Sequence, residues 1–298
     1  MKRLRRICWK YLYRHIFVLV DLIFMKVDRK LIATPALSLG AREDLKIMKL
    51  VPSFLKRSGG ASSVISYAES MGVFKVLING LVKDVARPKI LDIGCGTGLL
   101  AIASESLVKD GGEYIGLDVR EEDSKYCRKH FEKIPSHSFI YHPVRNATYA
   151  PHQDSKHQPW DILDESIDLV VSKSIWTHLN EQDAIYYFGE VGRVLKSGGK
   201  ALITFCLLDE DYYRQASTIN KPWFNFNKPI YNSQNWFTMS NIKVPEDFIA
   251  ITTDGIQKMA DLAGLTLVKK YPGQWKRKPG FWDQDILTFE KKSKFISN

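Results

Sequence analysis

At 298 residues the chain can bury a full core in one large or two small domains, and 45% hydrophobic with 12% aromatic residues excludes a disordered polymer. Lys plus Arg exceed Asp plus Glu by 43 to 33, an excess of 10 that suits an acidic partner such as an anionic membrane, a phosphorylated substrate or a nucleic acid. Four cysteines (Cys8, Cys95, Cys127, Cys206) without a CxxC pair leave no disulfide framework or zinc cluster and fit a reducing cytoplasm.

The charge excess is uneven. Residues 1–30 hold nine Lys or Arg against two Asp, and the remainder is only mildly basic, which weakens a nucleic-acid reading. Within 1–30, Arg3, Arg6, Lys10, Arg14, Asp21 and Asp28 recur at helical steps and share a narrow polar face. Ile7, Trp9, Leu12, Ile16, Phe17, Val20 and Ile23 fall on the broad apolar remainder. Such a helix docks on the protein body or lies in an anionic membrane interface. Its longest uncharged run, His15 to Val20, is far short of the roughly 20 apolar residues that span a bilayer. The sequence divides into this basic helix (1–34), a helical cap (35–87) and a catalytic-type domain (88–298).

From Pro88 onward strands and helices alternate. Strands are predicted at 89–93, 113–119, 138–142, 167–172 and 200–207, with helices at 98–109, 121–133 and 181–195. A helix at 253–263 precedes strands at 265–271 and 285–291, which have no helix between them. Repeated βα units imply an α/β fold, a mostly parallel sheet with helices on both faces. The missing last helix makes the final strand antiparallel. A ligand then sits at the carboxyl ends of the strands.

The segment Ile90 to Ala101 reads ILDIGCGTGLLA, an apolar strand running into a glycine turn and then a helix. Glycine lets the backbone turn tightly and approach a ligand, and the first helical turn leaves N–H groups free beside it. The turn is GxGxG rather than the GxGxxG of pyrophosphate sites. Asp92 at the strand end can face an ammonium group. Asp118 ends the next strand, where a carboxylate can take both ribose hydroxyls. These residues resemble the class I S-adenosylmethionine-dependent methyltransferases: ILDIGCGTG is similar to their first motif and YIGLDV to their acidic second one. IDLVVSKSIWTHL (167–179) and RVLKSGGKALITF (193–205) are similar to the fourth-strand and fifth-strand motifs. The resemblance covers 88–206 and implies a Rossmann-like, seven-stranded sheet with a reversed last strand and S-adenosyl-L-methionine as cofactor. It places Asp92, Gly94, Cys95, Gly96, Asp118 and Ser172 at the cofactor, Val119 against the adenine, and Asn146 at the adenine edge. Cys95 reads as a small filler, not a nucleophile.

Methyl transfer mainly requires alignment of acceptor and donor, and a hydroxyl acceptor gains from a base of near-neutral pKa. His178, just past the fourth strand, is the candidate base, with capping or packing as its alternative role. The trio His152, Asp154 and His157 is a rival metal site, though a polar loop explains it better; no metal is expected. The insert 208–252 opens with Asp209-Glu210-Asp211 and then mixes Tyr212, Tyr213, Trp223, Phe224, Phe226, Tyr231, Trp236 and Phe237 with Asn and Lys. Flat rings with amides suit a sugar, and the alternative is a subdomain with its own core. The run GQWKRKPGFWDQDILTFEK (273–291) looks like bacterial methyltransferases of surface-glycan assembly, except that Lys276-Arg277 stands where those carry Gly-Arg. The expected acceptor is therefore a sugar or glycolipid, such as lipopolysaccharide, at the inner face of the membrane. A lipid or polyketide-like small molecule, or an inactive cofactor-binding module, are the alternatives. No NPPY or DPPY follows the fourth strand, so a nucleic-acid acceptor is not expected.

Overall fold

The computed structural model describes residues 63–218 and 224–292, together with Ile16, Leu19, Leu22, Ile23, Lys26, residues 50–53, Lys56 and Arg57. Of the basic helix expected over 1–30, those five positions alone are described; they are helical and exposed, and the rest of that expectation lies outside the described residues. Among the described residues no helix is long and apolar enough to cross a membrane.

The first described helix, α1 (Val64–Val82), starts at Ser63, whose hydroxyl accepts from the Ser66 amide in a reciprocal capping box. The alternating units follow as β1 (Lys89–Ile93), α2 (Leu99–Val108), β2 (Glu113–Asp118), α3 (Glu121–His130), β3 (His137–Tyr141), β4 (Ile167–Ser172), α4 (Glu181–Val194) and β5 (Leu195–Phe205). The insert forms β6 (Leu207–Leu208), α5 (Glu210–Thr218), β7 (Lys228–Pro229), β8 (Trp236–Thr238) and β9 (Ala250–Thr252). Then come α6 (Thr253–Leu262), β10 (Leu265–Tyr271) and β11 (Asp285–Lys291).

Seven strands pair in the order β10-β11-β5-β4-β1-β2-β3. All pairs from β5 to β3 are parallel, whereas β11 runs antiparallel to both β5 and β10. The reversed last strand expected from the missing crossover helix is present. The central strands are apolar on both faces: in β4, Leu169, Val170 and Val171 are fully buried, as a sheet covered on both sides requires. One face packs against α4 and α6 through Phe188, Val191, Ile256 and Met259, the other against α1 and α2 through Phe74, Ile78, Leu100 and Val108. Burial of this kind stabilises by about 1.5–3 kcal/mol per large side chain.

The insert builds a second sheet, β6-β9-β8-β7, over its own aromatic core. Tyr212 and Trp275 stack at 5.6 Å, Phe226 meets Phe248 at 5.2 Å, and Trp236 is fully buried in the main core. The rings expected to form a sugar platform therefore pack on one another. Tyr213 and Tyr231 stay exposed, and Trp223 lies outside the described residues.

Candidate active site

The parallel strands end at one edge, and the cleft there is lined by Asp92, Gly94, Cys95, Gly96, Asp118, Val119, Asn146 and His178 among others. The glycine turn makes it possible. Gly94 has φ +73°, and a Cβ there would lie 2.0 Å from Cδ1 of Ile175, which covers the turn from the β4 side. Gly98, at φ +87°, caps α2, and a Cβ would strike the Phe131 ring at 2.6 Å. The turn is anchored by the Gly94 and Cys95 amides, which both donate to the Leu117 carbonyl, at 2.7 and 3.1 Å.

Asp118 lines the cleft and accepts from the Gly96 amide through Oδ2 and from the Arg120 amide through Oδ1, each at 2.8 Å. Burial raises its pKa, while these donors pull it back. Asp92 accepts from the Tyr114 hydroxyl through Oδ2, and its Oδ1 is buried without a hydrogen-bond partner. Burial pushes Asp92 up to about 7, opposed mainly by the Tyr114 hydrogen bond. An orphaned carboxylate oxygen on Asp92 and a second carboxylate in the same cleft, on Asp118, fit a nucleoside bearing an ammonium group.

The remaining sequence-named residues have varied fates. Cys95 lines the cleft as a buried thiol whose pKa is raised by its contact with Cys127 and by burial, so it is inert. Ser172 is fully buried and donates to the Ile93 carbonyl at 3.1 Å, so it ties β4 to β1 beneath the cleft rather than lining it. Asn146 lines the cleft, but its amide is engaged locally: Nδ2 donates to the His178 carbonyl, and Oδ1 accepts from the Thr148 and Tyr149 amides, all at 3.0 Å. It braces the loop after β3 against the loop after β4. His152, Asp154 and His157 do not converge. His157 stacks on Tyr186 at 4.5 Å and meets Asp183 at 2.7 Å, and among the described residues no three His, Cys, Asp or Glu groups are placed to share a metal ion. Asp209 lies away from the cleft, 2.9 Å from both Lys270 and Lys276.

His178 sits in a 3-10 turn, Trp176–His178. Its Nδ1 lies 2.9 Å from the Glu246 carbonyl, which can only accept, so Nδ1 carries the proton and Nε2 presents its lone pair. The Tyr149 hydroxyl lies 3.2 Å from that Nε2. Burial lowers the His178 pKa, more than the carbonyl raises it, and keeps the ring neutral. Sequence reading missed Tyr149, Lys173, Ser174 and Ile175 in the cleft; their proximity depends on the loops after β3 and β4 meeting across the sheet, which no local pattern encodes. Beside the cleft, and sharing Arg145 and Asp183 with it, lies a cavity of about 880 Å³ of mixed character, lined by Lys156, Asn180, Glu181, Ile185, Ile230 and Lys258 among others.

A sequence profile for a methyltransferase domain matches residues 90–199. That match takes in β1 from Ile90, the glycine turn and the strands β2 to β4. The ubiquinone/menaquinone biosynthesis C-methyltransferase of Wigglesworthia glossinidia brevipalpis is 26% identical over 171 residues, covering 56% of this chain and 58% of the relative. The ubiquinone biosynthesis O-methyltransferase of Actinobacillus pleuropneumoniae is 24% identical over 173 residues, 53% of this chain and 67% of that one. The chain thus spans little more than half the length of the first of these curated relatives. The crystal structure of the PH0226 protein from Pyrococcus horikoshii superposes with a TM-score of 0.51 at 22% identity, over 76% of this chain and 92% of that one. The seven-stranded sheet with its reversed last strand is the Rossmann-like arrangement of the class I S-adenosylmethionine-dependent methyltransferases.

Proposed function

We propose that the protein transfers a methyl group from S-adenosylmethionine to a hydroxyl oxygen, with His178 as the base. The observation that carries this is the His178 tautomer: a neutral ring lining the cleft, its Nδ1 proton committed to a carbonyl and its Nε2 lone pair met by the Tyr149 hydroxyl at 3.2 Å. A sulfonium cofactor supplies an electrophilic methyl and its own leaving group, so the protein has to align and deprotonate the acceptor. Asp118 would accept from the ribose hydroxyls, Asp92 from the ammonium, and Val119 would pack on the base. Tyr149 fixes the imidazole and yields its place at Nε2 to the acceptor hydroxyl.

The charged and amide side chains in the cavity next to the cleft, Lys156, Asn180, Glu181 and Lys258, support an acceptor with hydroxyls, such as a sugar or glycolipid of a surface glycan. The relatives in ubiquinone biosynthesis favour a second reading, a phenolic small molecule. Residues 1–30, basic and with exposed apolar positions, support attachment to an anionic membrane face.

Calorimetry with S-adenosylhomocysteine tests the cofactor, and Asp118→Ala should weaken binding by about 10- to 100-fold. No binding to the wild type would sink the proposal. His178→Ala should lower turnover by about 10²- to 10⁴-fold with cofactor affinity kept; a normal rate removes the base. Mass spectrometry of glycan and lipid fractions from cells with and without the gene separates the acceptors, since one of them loses a methyl group.

A further inference from the structure

One charged side chain in the cleft is used neither by the fold nor by proton transfer to His178. Lys173 follows β4, and the β1–β4 register pairs Ile93 with Ser172, so Lys173 leaves its strand level with the glycine turn and beside Asp92. The next residue, Ser174, has φ +62°, a left-handed conformation that costs a non-glycine residue about 1–2 kcal/mol. Its amide donates to the Thr204 hydroxyl at 2.7 Å, which donates on to Gln284 at 2.7 Å. Strain held in place by such a network marks functional loops, and here it aims Lys173.

The Lys173 ammonium lies 4.9 Å from the centroid of the Trp282 ring. Among the described residues no carboxylate reaches it at ion-pair distance; Asp92 and Asp283 act on it only from farther away. Burial lowers its pKa to about 8, so it is still charged at neutral pH. A cation without an anion thus sits beside Asp92, whose Oδ1 has no donor. Lys173 is half-buried over the Trp282 ring, while Asp92 is fully buried with one oxygen unpartnered, an arrangement that costs stability unless a ligand completes it.

We infer that Lys173 is a specificity residue that binds the carboxylate of an amino-acid tail while Asp92 binds its ammonium group. The inference rests on the cofactor reading above, in which the methionyl end of S-adenosylmethionine is that tail and the ribose lies toward Asp118. Its consequence is selectivity: the cleft rejects nucleosides that lack the carboxylate.

Three ligands separate the contributions by calorimetry: S-adenosylhomocysteine, its decarboxylated analogue, which keeps the ammonium, and 5′-methylthioadenosine, which has neither charge. The wild type should prefer S-adenosylhomocysteine over the decarboxylated analogue by about 10- to 100-fold. Lys173→Met should erase that preference and change the affinity of the other two ligands by no more than about twofold. Equal wild-type affinity for the first two ligands, or a Lys173→Met loss shared by all three, would overturn the inference and leave the cofactor reading standing. A wild type that binds none of the three overturns both. Should Lys173→Met not fold, Lys173→Gln should lose the same preference, and a preference kept in that variant overturns the inference.

Discussion

Two lysines, Lys276 fully buried and Lys173 half-buried, lie at the same C-terminal segment and meet opposite surroundings. Lys276 is 1% exposed and pairs with Asp209 at 2.9 Å and Asp285 at 2.7 Å. Asp285 also accepts from the Leu207 and Gly273 amides and the Trp275 indole, so every charge in that cluster is answered. Lys173 faces a ring and two distant carboxylates, one of them Asp283, two residues from Asp285. The difference teaches where this fold spends electrostatic pairing on structure and where it leaves a charge for something that arrives. Lys276 clamps the loop before β11 to the insert and to the first residue of β11, while Lys173 has no carboxylate at ion-pair distance among the described residues.

The sharpest way to break the comparison is Lys276→Met. Removing one member of a buried, fully paired cluster should cost about 3–5 kcal/mol, read as a lower urea midpoint. Lys173→Met should instead leave the midpoint unchanged or raise it, since it deletes a charge without a partner. Equal losses would erase the distinction between the two lysines.

Next in size is Asp92→Asn, whose effect depends on pH. Burial lifts the folded pKa of Asp92 from 3.8 to about 7, so the folded state holds the proton more tightly than the unfolded chain does. Its penalty on stability therefore grows as pH rises from about 4 to 7 and is complete above 7. Asp92→Asn removes it, and should raise the ligand-free melting temperature at pH 8 by about 3 °C or more, and by less at pH 4.5. A gain that is constant with pH would show that Asp92 is not the titrating group. The smallest effect belongs to Lys270→Ala. Lys270 meets the same Asp209 oxygen as Lys276 and at the same 2.9 Å, but its side chain is 40% exposed. Solvent screening should hold its loss to about 0.5 kcal/mol, and a loss as large as that of Lys276→Met would show that burial is not what separates them.

Much of the sheet was legible because its signals are local. The strands at 265–271 and 285–291 are found at those positions, and the reversal of β11 follows from the connection being too short for a crossover helix. The glycine turn was legible because left-handed backbone and close approach leave few residues to choose from. The fifth strand starts at Leu195, directly after α4, rather than beyond the SGG expected to intervene; the glycines are absorbed into an irregular register opposite Ile167 and Leu169. The insert's two readings, a sugar platform and a subdomain with its own core, could not be separated for a different reason. Composition counts rings but not what they touch, and Phe224, Phe226 and Phe248 look the same in sequence whether they stack on a ligand or on each other. Lys173 was passed over because lysine is ordinarily a surface residue, and only the pairing of β1 with β4 brings it beside Asp92.

The position of β11 also orders events in time. It is the last strand in the described sequence, yet it lies inside the sheet, between β5 and β10. Before residues 285–291 are available, β5 has an open edge and β10 has no neighbour, and the carboxylate of Asp285 is missing from Lys276. A growing chain can therefore assemble the glycine turn and its flanking strands early, but cannot close the sheet or set Gln284 against Thr204 until nearly all of the described sequence has been made. Competence to bind should thus appear late in synthesis and in a single step, which ties the cleft to the completeness of the sheet beneath it.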